Sequence, residues 1–207
     1  MNMRTCKLLF QGDSITDADR IREDPLDLGT GYPYYAAQLL RAQRPDVDFT
    51  FWNRGIGCDE TQHLLARIEP DLIALQPYVV SVLIGINATW HHADARDWMP
   101  LSVFEARYRQ VLERIRNETK AKLMVIEQYL FPVPDKTYFA EDLAPKQACV
   151  RALAKEYADV FLPAHELAQQ AAAAHGSDTF TADGVHLNET GARWLAETYA
   201  KAIAPLL

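Results

Sequence analysis

Short apolar segments separated by polar and turn-forming residues recur along the chain, and they predict β-strands. Residues 79–84 are dense in β-branched side chains without alternation, as in a parallel strand covered on both faces. Residues 48–52 alternate apolar and polar positions, which also favours a strand. The predicted strands are residues 7–10, 48–52, 79–84, 122–127 and 159–162.

Between the strands, apolar positions recur at intervals of three and four, which is the period of a helix. Ser102 and Glu105 form a capping box for the clearest of these helices, and Asp59 is placed to cap another, with Gln62 three residues on. The apolar stripe of the clearest helix is Phe104, Tyr108, Val111 and Ile115. The other predicted helices are residues 34–42, 61–68, 145–157, 166–174 and 190–203.

Strands that alternate with helices predict a parallel sheet with helices on both faces. The expected fold is α/β, a three-layer α/β/α sandwich around a central, mainly parallel sheet of five strands. A length of 207 residues suits a single domain spanning residues 1–207. In such sheets ligands bind beyond the carboxyl ends of the strands, so we expect the functional residues directly after them.

Charge and composition narrow the classes of partner. The chain has 21 Lys and Arg against 28 Asp and Glu, a formal net charge of −7. This balance argues against nucleic acid and against an anionic membrane surface as partners. The longest apolar stretch, residues 78–86, is about half of what a membrane-spanning helix needs.

The cysteines indicate the cellular compartment of the protein, and two groups of aromatic residues bear on whether it forms oligomers. Cys6, Cys58 and Cys149 lie far apart without a C-x-x-C pair, and we interpret them as reduced thiols of a cytoplasmic protein. The apolar run at residues 8–10 is too short for a secretory signal. Aromatic residues at 32–35 and 138–139 are expected to be exposed, as pocket walls or as the interface of a homo-oligomer.

The first candidate for chemistry follows the first predicted strand: Gly12, Asp13 and Ser14. A serine on a tight strand-to-helix turn exposes its hydroxyl, and Gly12 allows the backbone to turn sharply. The alternative interpretation is a helix N-cap, because Asp13 and Ser14 are both good caps. The segment lacks the second glycine of the Gly-x-Ser-x-Gly elbow.

The second candidate is Asp183 with His186, three residues apart on a predicted turn. A neutral imidazole can take a proton from a serine hydroxyl, and a carboxylate on its other nitrogen fixes the tautomer. The alternative interpretation is a surface Asp-Gly turn with an exposed histidine.

Two further loops follow predicted strands and could supply hydrogen-bond donors. One runs from residue 53 to 59 and contains Gly55 and Gly57, and the other places Asn87 at the end of a strand. Acyl transfer needs donors aimed at the oxyanion. The alternative interpretations are a glycine-rich turn and an asparagine that satisfies loop backbone.

Taken together, these segments resemble the SGNH hydrolases, also called GDSL esterases and lipases. The resemblance assigns Ser14 as the nucleophile, His186 as the base and Asp183 as the group that orients it. It implies an oxyanion hole formed by Ser14, Cys58 and Asn87, a flavodoxin-like α/β fold, and no cofactor or metal. The matching segments run from residue 12 to 186 in family order.

Two positions depart from the family pattern. Cys58 stands where a glycine usually donates its backbone N–H, with Gly57 one position earlier. Either residue could supply the donor, and Cys58 is strained if the loop needs a positive φ. Ala88 follows Asn87 where the family often has aspartate, and we expect only a local effect from this change.

Within the family, the motifs look most like the acetylxylan-esterase branch. This resemblance implies a serine esterase that removes acetyl groups from xylo- or other oligosaccharides through an acyl-enzyme. Asp13, Gly57 and Trp90 are the candidate substrate contacts, with Trp90 either stacking on a sugar or covering the edge of the core.

Three alternatives remain open at this point. The first is a lysophospholipase or thioesterase that prefers long acyl chains. The second is an inactive carbohydrate-binding relative. The third is a metal-dependent hydrolase that uses Asp13, Asn87 and His186.

Overall fold

The computed structural model describes residues 4–207. Within this range, five strands form one sheet in the order β2-β1-β3-β4-β5, and every neighbouring pair is parallel. The expected fold class and the five predicted strands are therefore confirmed. The strands are β1 (Arg4–Gly12), β2 (Val47–Gly55), β3 (Val79–Leu83), β4 (Lys122–Ile126) and β5 (Val160–Leu162).

Helices cover both faces of the sheet, which gives the predicted three layers. One apolar core lies between the sheet and α2, α7 and α8, and the other lies between the sheet and α3, α5 and α6. The α-helices of the described residues are α1 (Ser14–Asp17), α2 (Tyr32–Gln43), α3 (Thr61–Ile68), α4 (Asn87–Trp90), α5 (Leu101–Glu118), α6 (Ala140–Tyr157), α7 (Ala164–His175) and α8 (Glu189–Ile203).

Strand β1 lies inside the sheet, between β2 and β3, and contributes side chains to both cores. Leu8 and Phe10 pack into the first core and Leu9 into the second, because successive side chains of a strand point to opposite faces. All three side chains are fully buried. A strand with apolar residues on both faces is typical of the inside of a parallel sheet.

Two predicted helix caps are wrong. Glu60, rather than Asp59, caps α3, and its partner in the capping box is His63 instead of Gln62. Asp59 instead binds the guanidinium of Arg67 at 2.8 Å. Asp59 and Glu60 are adjacent acidic residues, so the sequence around them does not show which of the two caps the helix. The ion pair of Asp59 with Arg67 distinguishes them.

Helix α5 also begins earlier than its predicted capping box. Pro100 occupies the N-cap position and Leu101 begins the helix, so Ser102 lies inside the first turn. The fixed φ of proline suits a helix start, and no side-chain cap is present there.

Helix α6 begins at Ala140 and continues through Pro145, although the sequence predicted a start at that proline. Pro145 is exposed, and the turn around it is spanned by an ion pair between Asp142 and Lys146, both buried. Tertiary contacts thus override the local preference of proline to end a helix.

The aromatic residues expected on the surface are only partly exposed. Tyr32 and Phe139 are buried in the first core, whereas Tyr34 is 43% exposed. Among residues 4–207, no helix is long and apolar enough to cross a membrane.

The strand pairing aligns the ends of three strands at one edge. Gly12, the last residue of β1, pairs with Gly55 at the end of β2 and with Leu83 at the end of β3. The loops that follow these strands therefore leave the sheet side by side, as expected for a ligand site in a parallel sheet.

Candidate active site at the carboxyl edge of the sheet

Ser14 is the first residue of α1, directly after β1. Asp13 caps this short helix, since its Oδ1 accepts a hydrogen bond from the Ile15 N–H at 3.0 Å. A Cβ on Gly12 would lie 2.5 Å from the carbonyl oxygen of Leu83. The turn between β1 and α1 therefore requires glycine, and it presents Ser14 at the carboxyl edge of the sheet.

Ser14, His186 and Asp183 form one hydrogen-bonded chain. Ser14 Oγ lies 2.9 Å from His186 Nε2, although 172 positions separate the two residues. His186 Nδ1 lies 2.7 Å from Asp183 Oδ2. An imidazole that donates from Nδ1 to the carboxylate leaves Nε2 free to accept the serine proton.

The Asp183 carboxylate is held by several donors. Its Oδ1 accepts hydrogen bonds from the backbone N–H of Val185 at 2.9 Å and of His186 at 2.8 Å. Burial by itself raises the pKa of Asp183, but the hydrogen bonds from the His186 ring and these two N–H groups hold it well below its usual range. The carboxylate therefore stays ionised beside His186.

The Asp183 carboxylate determines the direction in which the pKa of His186 is shifted. The hydrogen bond to Asp183 is the main reason why the pKa of His186 is raised above its ordinary value, against the opposing effect of burial. The more distant carboxylate of Asp13 also raises this pKa, and the ammonium of Lys136 lowers it.

Backbone contacts to the segment after β4 fix the loop that carries this pair. The Phe131 N–H donates to the Gly184 carbonyl at 2.8 Å, and the Tyr129 hydroxyl donates to the Val185 carbonyl at 3.1 Å. Gly184 has a φ of +86°, and a Cβ there would lie 3.0 Å from the carbonyl oxygen of Phe131. The Asp-Gly step is therefore required by the close packing of the loop.

Three candidate hydrogen-bond donors of the motif segments keep a hydrogen without an acceptor among the described residues. Among residues 4–207, the backbone N–H groups of Ser14 and Cys58 have no hydrogen-bond acceptor. The side-chain amide of Asn87 donates one hydrogen to the Asp59 carbonyl at 2.9 Å, which fixes its orientation and leaves its second hydrogen unused.

The two candidate backbone donors, Gly57 and Cys58, differ in their hydrogen bonds. The Gly57 N–H is already engaged, since it donates to Asp17 Oδ2 at 2.9 Å. Cys58 has the unengaged N–H, and its φ of +68° lies in the left-handed region. The strain expected at Cys58 for a loop with positive φ is therefore present.

A cavity of about 580 Å³ opens beside Ser14 and His186. Gly57, one of the candidate substrate contacts, lines it together with Tyr35 and Asn188. Its lining includes the acidic residues Asp17, Asp19 and Glu189 and apolar residues such as Ile15 and Leu187.

Asp13 and Trp90, the other two candidate substrate contacts, lie in different settings. Asp13 is 1% exposed and has no surface for substrate, so we interpret it as a helix cap. The ring centroid of Trp90 lies 5.6 Å from that of His186, and the Lys136 ammonium lies 4.9 Å from the Trp90 ring. Trp90 thus lies beside His186 but does not line the main cavity.

Sequence reasoning missed two buried charged residues near the site. Asp17 holds the loop of Gly57, and Lys146 donates to the Ala88 carbonyl at 2.8 Å, directly after Asn87. Asp17 lies in the first motif, but its spacing to Gly57 gives no local signal. Among the described residues, no group of three or more His, Cys, Asp or Glu side chains could hold a metal ion.

A serine, a histidine and an aspartate are joined by hydrogen bonds at the carboxyl edge of a parallel α/β sandwich, which suggests the class of the serine hydrolases. Comparison with known proteins defines the family. The model of the GDSL-like lipase/acylhydrolase family matches residues 10–194. The chain belongs to this family, and the resemblance inferred from the motifs is confirmed.

One relative is similar in sequence over about half of the chain. An acetylxylan esterase from Geobacillus stearothermophilus is 40% identical over 118 residues, which are 55% of this chain and 54% of that protein. The alignment thus spans about half the length of this relative.

Two solved structures match nearly the whole fold. A GDSL-like protein from Parabacteroides merdae shares 26% identity, covers 100% of this chain and 99% of its own, and has a TM-score of 0.90. The acetylxylan esterase Axe2 from Geobacillus stearothermophilus shares 27% identity, with 98% and 96% coverage and a TM-score of 0.88. Catalytic mutants of Axe2 replace a serine, an aspartate or a histidine by alanine.

Proposed function

We propose that the protein is a serine esterase that hydrolyses small acyl esters, with Ser14, His186 and Asp183 as its catalytic residues. The observation that carries the proposal is the continuous chain of hydrogen bonds, 2.9 Å from Ser14 Oγ to His186 Nε2 and 2.7 Å from His186 Nδ1 to Asp183 Oδ2. The family and the serine, aspartate and histidine mutated in Axe2 give further support.

In the proposed reaction, Ser14 Oγ attacks the ester carbonyl while His186 takes its proton. His186 then protonates the leaving alcohol, and water hydrolyses the acyl-enzyme by the same steps. The N–H groups of Ser14 and Cys58 and the free amide hydrogen of Asn87 hold the negative charge on the carbonyl oxygen. Every step uses the chain's own residues.

We propose an acetyl group on an oligosaccharide as the ester. Support comes from the comparisons, since the sequence relative and the solved structure of Axe2 are both named acetylxylan esterase from Geobacillus stearothermophilus, and Axe2 is also described as an acetyl-xylooligosaccharide esterase. The lining of the cavity beside Ser14 includes three acidic side chains, which can accept hydrogen bonds from the hydroxyl groups of a sugar.

We also propose that the protein acts in the cytoplasm. The support is chemical: Cys6, Cys58 and Cys149 are all free thiols, and Cys58 is exposed. Free thiols persist in a reducing compartment. Fractionation of the source cells would test this location.

The proposed activity is tested with a panel of acetylated xylo-oligosaccharides and p-nitrophenyl esters of increasing chain length. We expect acetyl esters to give the highest kcat/KM and Ser14→Ala to lower kcat by several orders of magnitude without changing the unfolding transition. A Ser14→Ala variant with more than about a tenth of the normal activity would refute the nucleophile. A preference for chains beyond about eight carbons would favour a lysophospholipase or thioesterase, because long chains need an apolar channel.

A further inference from the structure

Thr181 lies at the base of the loop that carries Asp183 and His186. An isolated antiparallel bridge pairs Thr181 with Leu187, so both members of the proposed catalytic pair lie in the loop between them. Thr181 is 1% exposed, although Asp183 and His186 in the same loop are accessible to solvent. A hydroxyl buried at this place has to find its hydrogen-bond partners within the protein.

The Thr181 hydroxyl contacts the main chain at both ends of the loop. Its oxygen accepts the N–H of Gly184 at 3.0 Å and that of Asp183 at 3.3 Å. The same oxygen lies 2.7 Å from the His186 carbonyl oxygen and 3.2 Å from Asp183 Oδ1. A hydroxyl has one hydrogen, and Asp183 Oδ1 already accepts two backbone N–H groups, so the hydrogen goes to the nearer His186 carbonyl. One oxygen atom thus joins the main chain of Asp183 to that of His186.

Three backbone groups of the loop depend on this hydroxyl. Among residues 4–207, the N–H groups of Asp183 and Gly184 and the carbonyl of His186 have no other hydrogen-bond partner. Gly184 is buried, and a buried N–H that loses its partner is unfavourable. Without the hydroxyl, the loop has to move until these groups reach water or other partners.

Such a movement would reach the reacting atoms, because the His186 ring bonds to two residues at once. Its Nε2 lies 2.9 Å from Ser14 Oγ, and its Nδ1 lies 2.7 Å from Asp183 Oδ2. Both hydrogen bonds weaken when the donor and acceptor move apart or lose their alignment. The Asp183 carboxylate also accepts the His186 N–H at 2.8 Å, so one link within the pair survives the loss of the hydroxyl. We therefore expect a partial loss of activity.

We propose that Thr181 is a positioning residue whose hydroxyl holds the main chain of His186 so that the imidazole meets both Ser14 and Asp183. This inference rests on the proposed function, in which His186 takes the proton of Ser14. Thr181 does not line the cavity beside Ser14, so its role is independent of substrate binding.

The first test is Thr181→Val, measured with p-nitrophenyl acetate. Valine replaces the hydroxyl by a methyl group and keeps the branched shape of the side chain. We expect kcat to fall by about tenfold or more and KM to change by less than about threefold, because a displaced base acts on the transition state. Thr181→Ser keeps the hydroxyl, and we expect its kcat within about threefold of wild type.

Thr198→Val is the matched control. The Thr198 hydroxyl also donates to a backbone carbonyl, that of Trp194 at 2.8 Å, and Thr198 does not line the cavity. We expect its kcat to equal that of wild type. Equal losses from Thr181→Val and Thr198→Val would overturn the proposal, and so would a loss confined to KM or shared by Thr181→Ser.

The pH profile of kcat/KM separates positioning from a general loss of stability. The charged groups that act on the pKa of His186 are Asp183 in the same loop, Asp13 before α1 and Lys136 after β4. The hydrogen bond from Asp183 raises this pKa most, and of these groups only Asp183 is bound by Thr181. We expect the apparent pKa of the profile to be lower in Thr181→Val than in wild type. An unchanged apparent pKa would contradict the inference.

A crystal structure of Thr181→Val gives an answer that does not depend on activity. We expect the His186 ring to lie beyond hydrogen-bond distance of Ser14 Oγ or of Asp183 Oδ2. Retention of both contacts at their wild-type distances would overturn the proposal.

If Thr181→Val does not fold, Thr181→Ala and Thr181→Ser serve as the pair, since they differ only by the oxygen. We expect the serine variant to have the higher kcat and the higher apparent pKa, and equal values would overturn the proposal. Failure of both Val and Ala variants to fold would also overturn it, because the hydroxyl would then be required for folding. Failure of the proposed function is a separate result: the wild-type protein would then hydrolyse no ester faster than Ser14→Ala.

Discussion

At the scale of single residues, the site depends on the charge state of His186. In the proposed reaction the imidazole must be neutral to accept the proton of Ser14, yet the ionised carboxylate of Asp183 favours its charged form. The pKa of His186 is therefore raised above the ordinary value of 6.5. If the proposed reaction holds, the carboxylate that stabilises the imidazolium in the transition state also reduces the fraction of enzyme with a neutral His186 at low pH.

The pH profile of the wild-type protein tests this balance. We expect kcat/KM to fall as the pH falls through an apparent pKa above 6.5, because the free enzyme loses its base when His186 is protonated. The measurement is hydrolysis of an acetyl ester between about pH 5 and 9.

A substitution of Lys136 provides a comparison for this profile. The ammonium of Lys136 lowers the pKa of His186, so we expect Lys136→Met to move the apparent pKa further up. A kcat/KM that stays flat down to about pH 5 would argue against His186 as the base.

At the scale of secondary structure elements, α4 presents Asn87 and Trp90 to the site but has only four residues. So short a helix has little stability of its own. A buried polar cluster holds it instead: Lys146 of α6 donates to the Ala88 carbonyl at 2.8 Å, and Thr89 donates to Asp142 at 2.6 Å. Residue 88, where the family often has aspartate, is thus held through its backbone.

Lys146→Met tests whether this cluster stabilises the protein. The variant removes the cation from a buried ion pair and leaves the Asp142 carboxylate without its partner, so we expect the free energy of unfolding to fall by about 3–5 kcal/mol. We also expect kcat to fall, because Asn87 is held less firmly. Urea denaturation and acetyl ester kinetics measure the two effects.

The exposed Lys120 offers a matched control for this prediction. Lys120→Met removes the same functional group from the surface, and we expect a change within about 0.5 kcal/mol. An equal effect of the two substitutions would mean that the buried cluster contributes no stability of its own.

At the scale of the whole molecule, one buried carboxyl lowers the stability of the fold. Asp13 is 1% exposed, its Oδ2 has no hydrogen-bond partner among the described residues, and burial raises the pKa of Asp13 to about 7. In the unfolded chain the same group titrates near 3.8. Between these values the folded protein binds more protons than the unfolded chain, so stability falls as the pH rises.

The variant Asp13→Asn tests whether the buried Asp13 carboxylate lowers the free energy of unfolding. Asparagine keeps an oxygen to accept the Ile15 N–H and carries no charge, so we expect the variant to be more stable than wild type near pH 8. We expect the difference to shrink as the pH falls through about 7 toward 4, where the wild-type carboxyl becomes protonated in the folded state. Urea denaturation at several pH values measures it, and a difference that does not vary with pH would contradict the assigned cause.

The sequence by itself determined the order of strands and helices along the chain. Periodicity and residue type are local properties, and they predicted the sheet because a buried parallel strand and an amphipathic helix each need a characteristic pattern of apolar residues. The common edge of the parallel strands predicted where Ser14 lies, and the resemblance to the SGNH hydrolases, rather than periodicity, joined Asp183 and His186 to it. The distances between these side chains agree with that expectation.

Only the tertiary structure decided the backbone geometry and the burial of single groups. In the folded chain the Gly57 N–H donates to Asp17, and the Cys58 N–H has no acceptor while Cys58 is at positive φ. Asp13 is buried beneath the site. The tertiary structure also moved the cap of α3 to Glu60 and extended α6 through Pro145. These features depend on contacts between residues distant in sequence, and a local pattern carries no information about which distant group meets a given N–H or carboxylate.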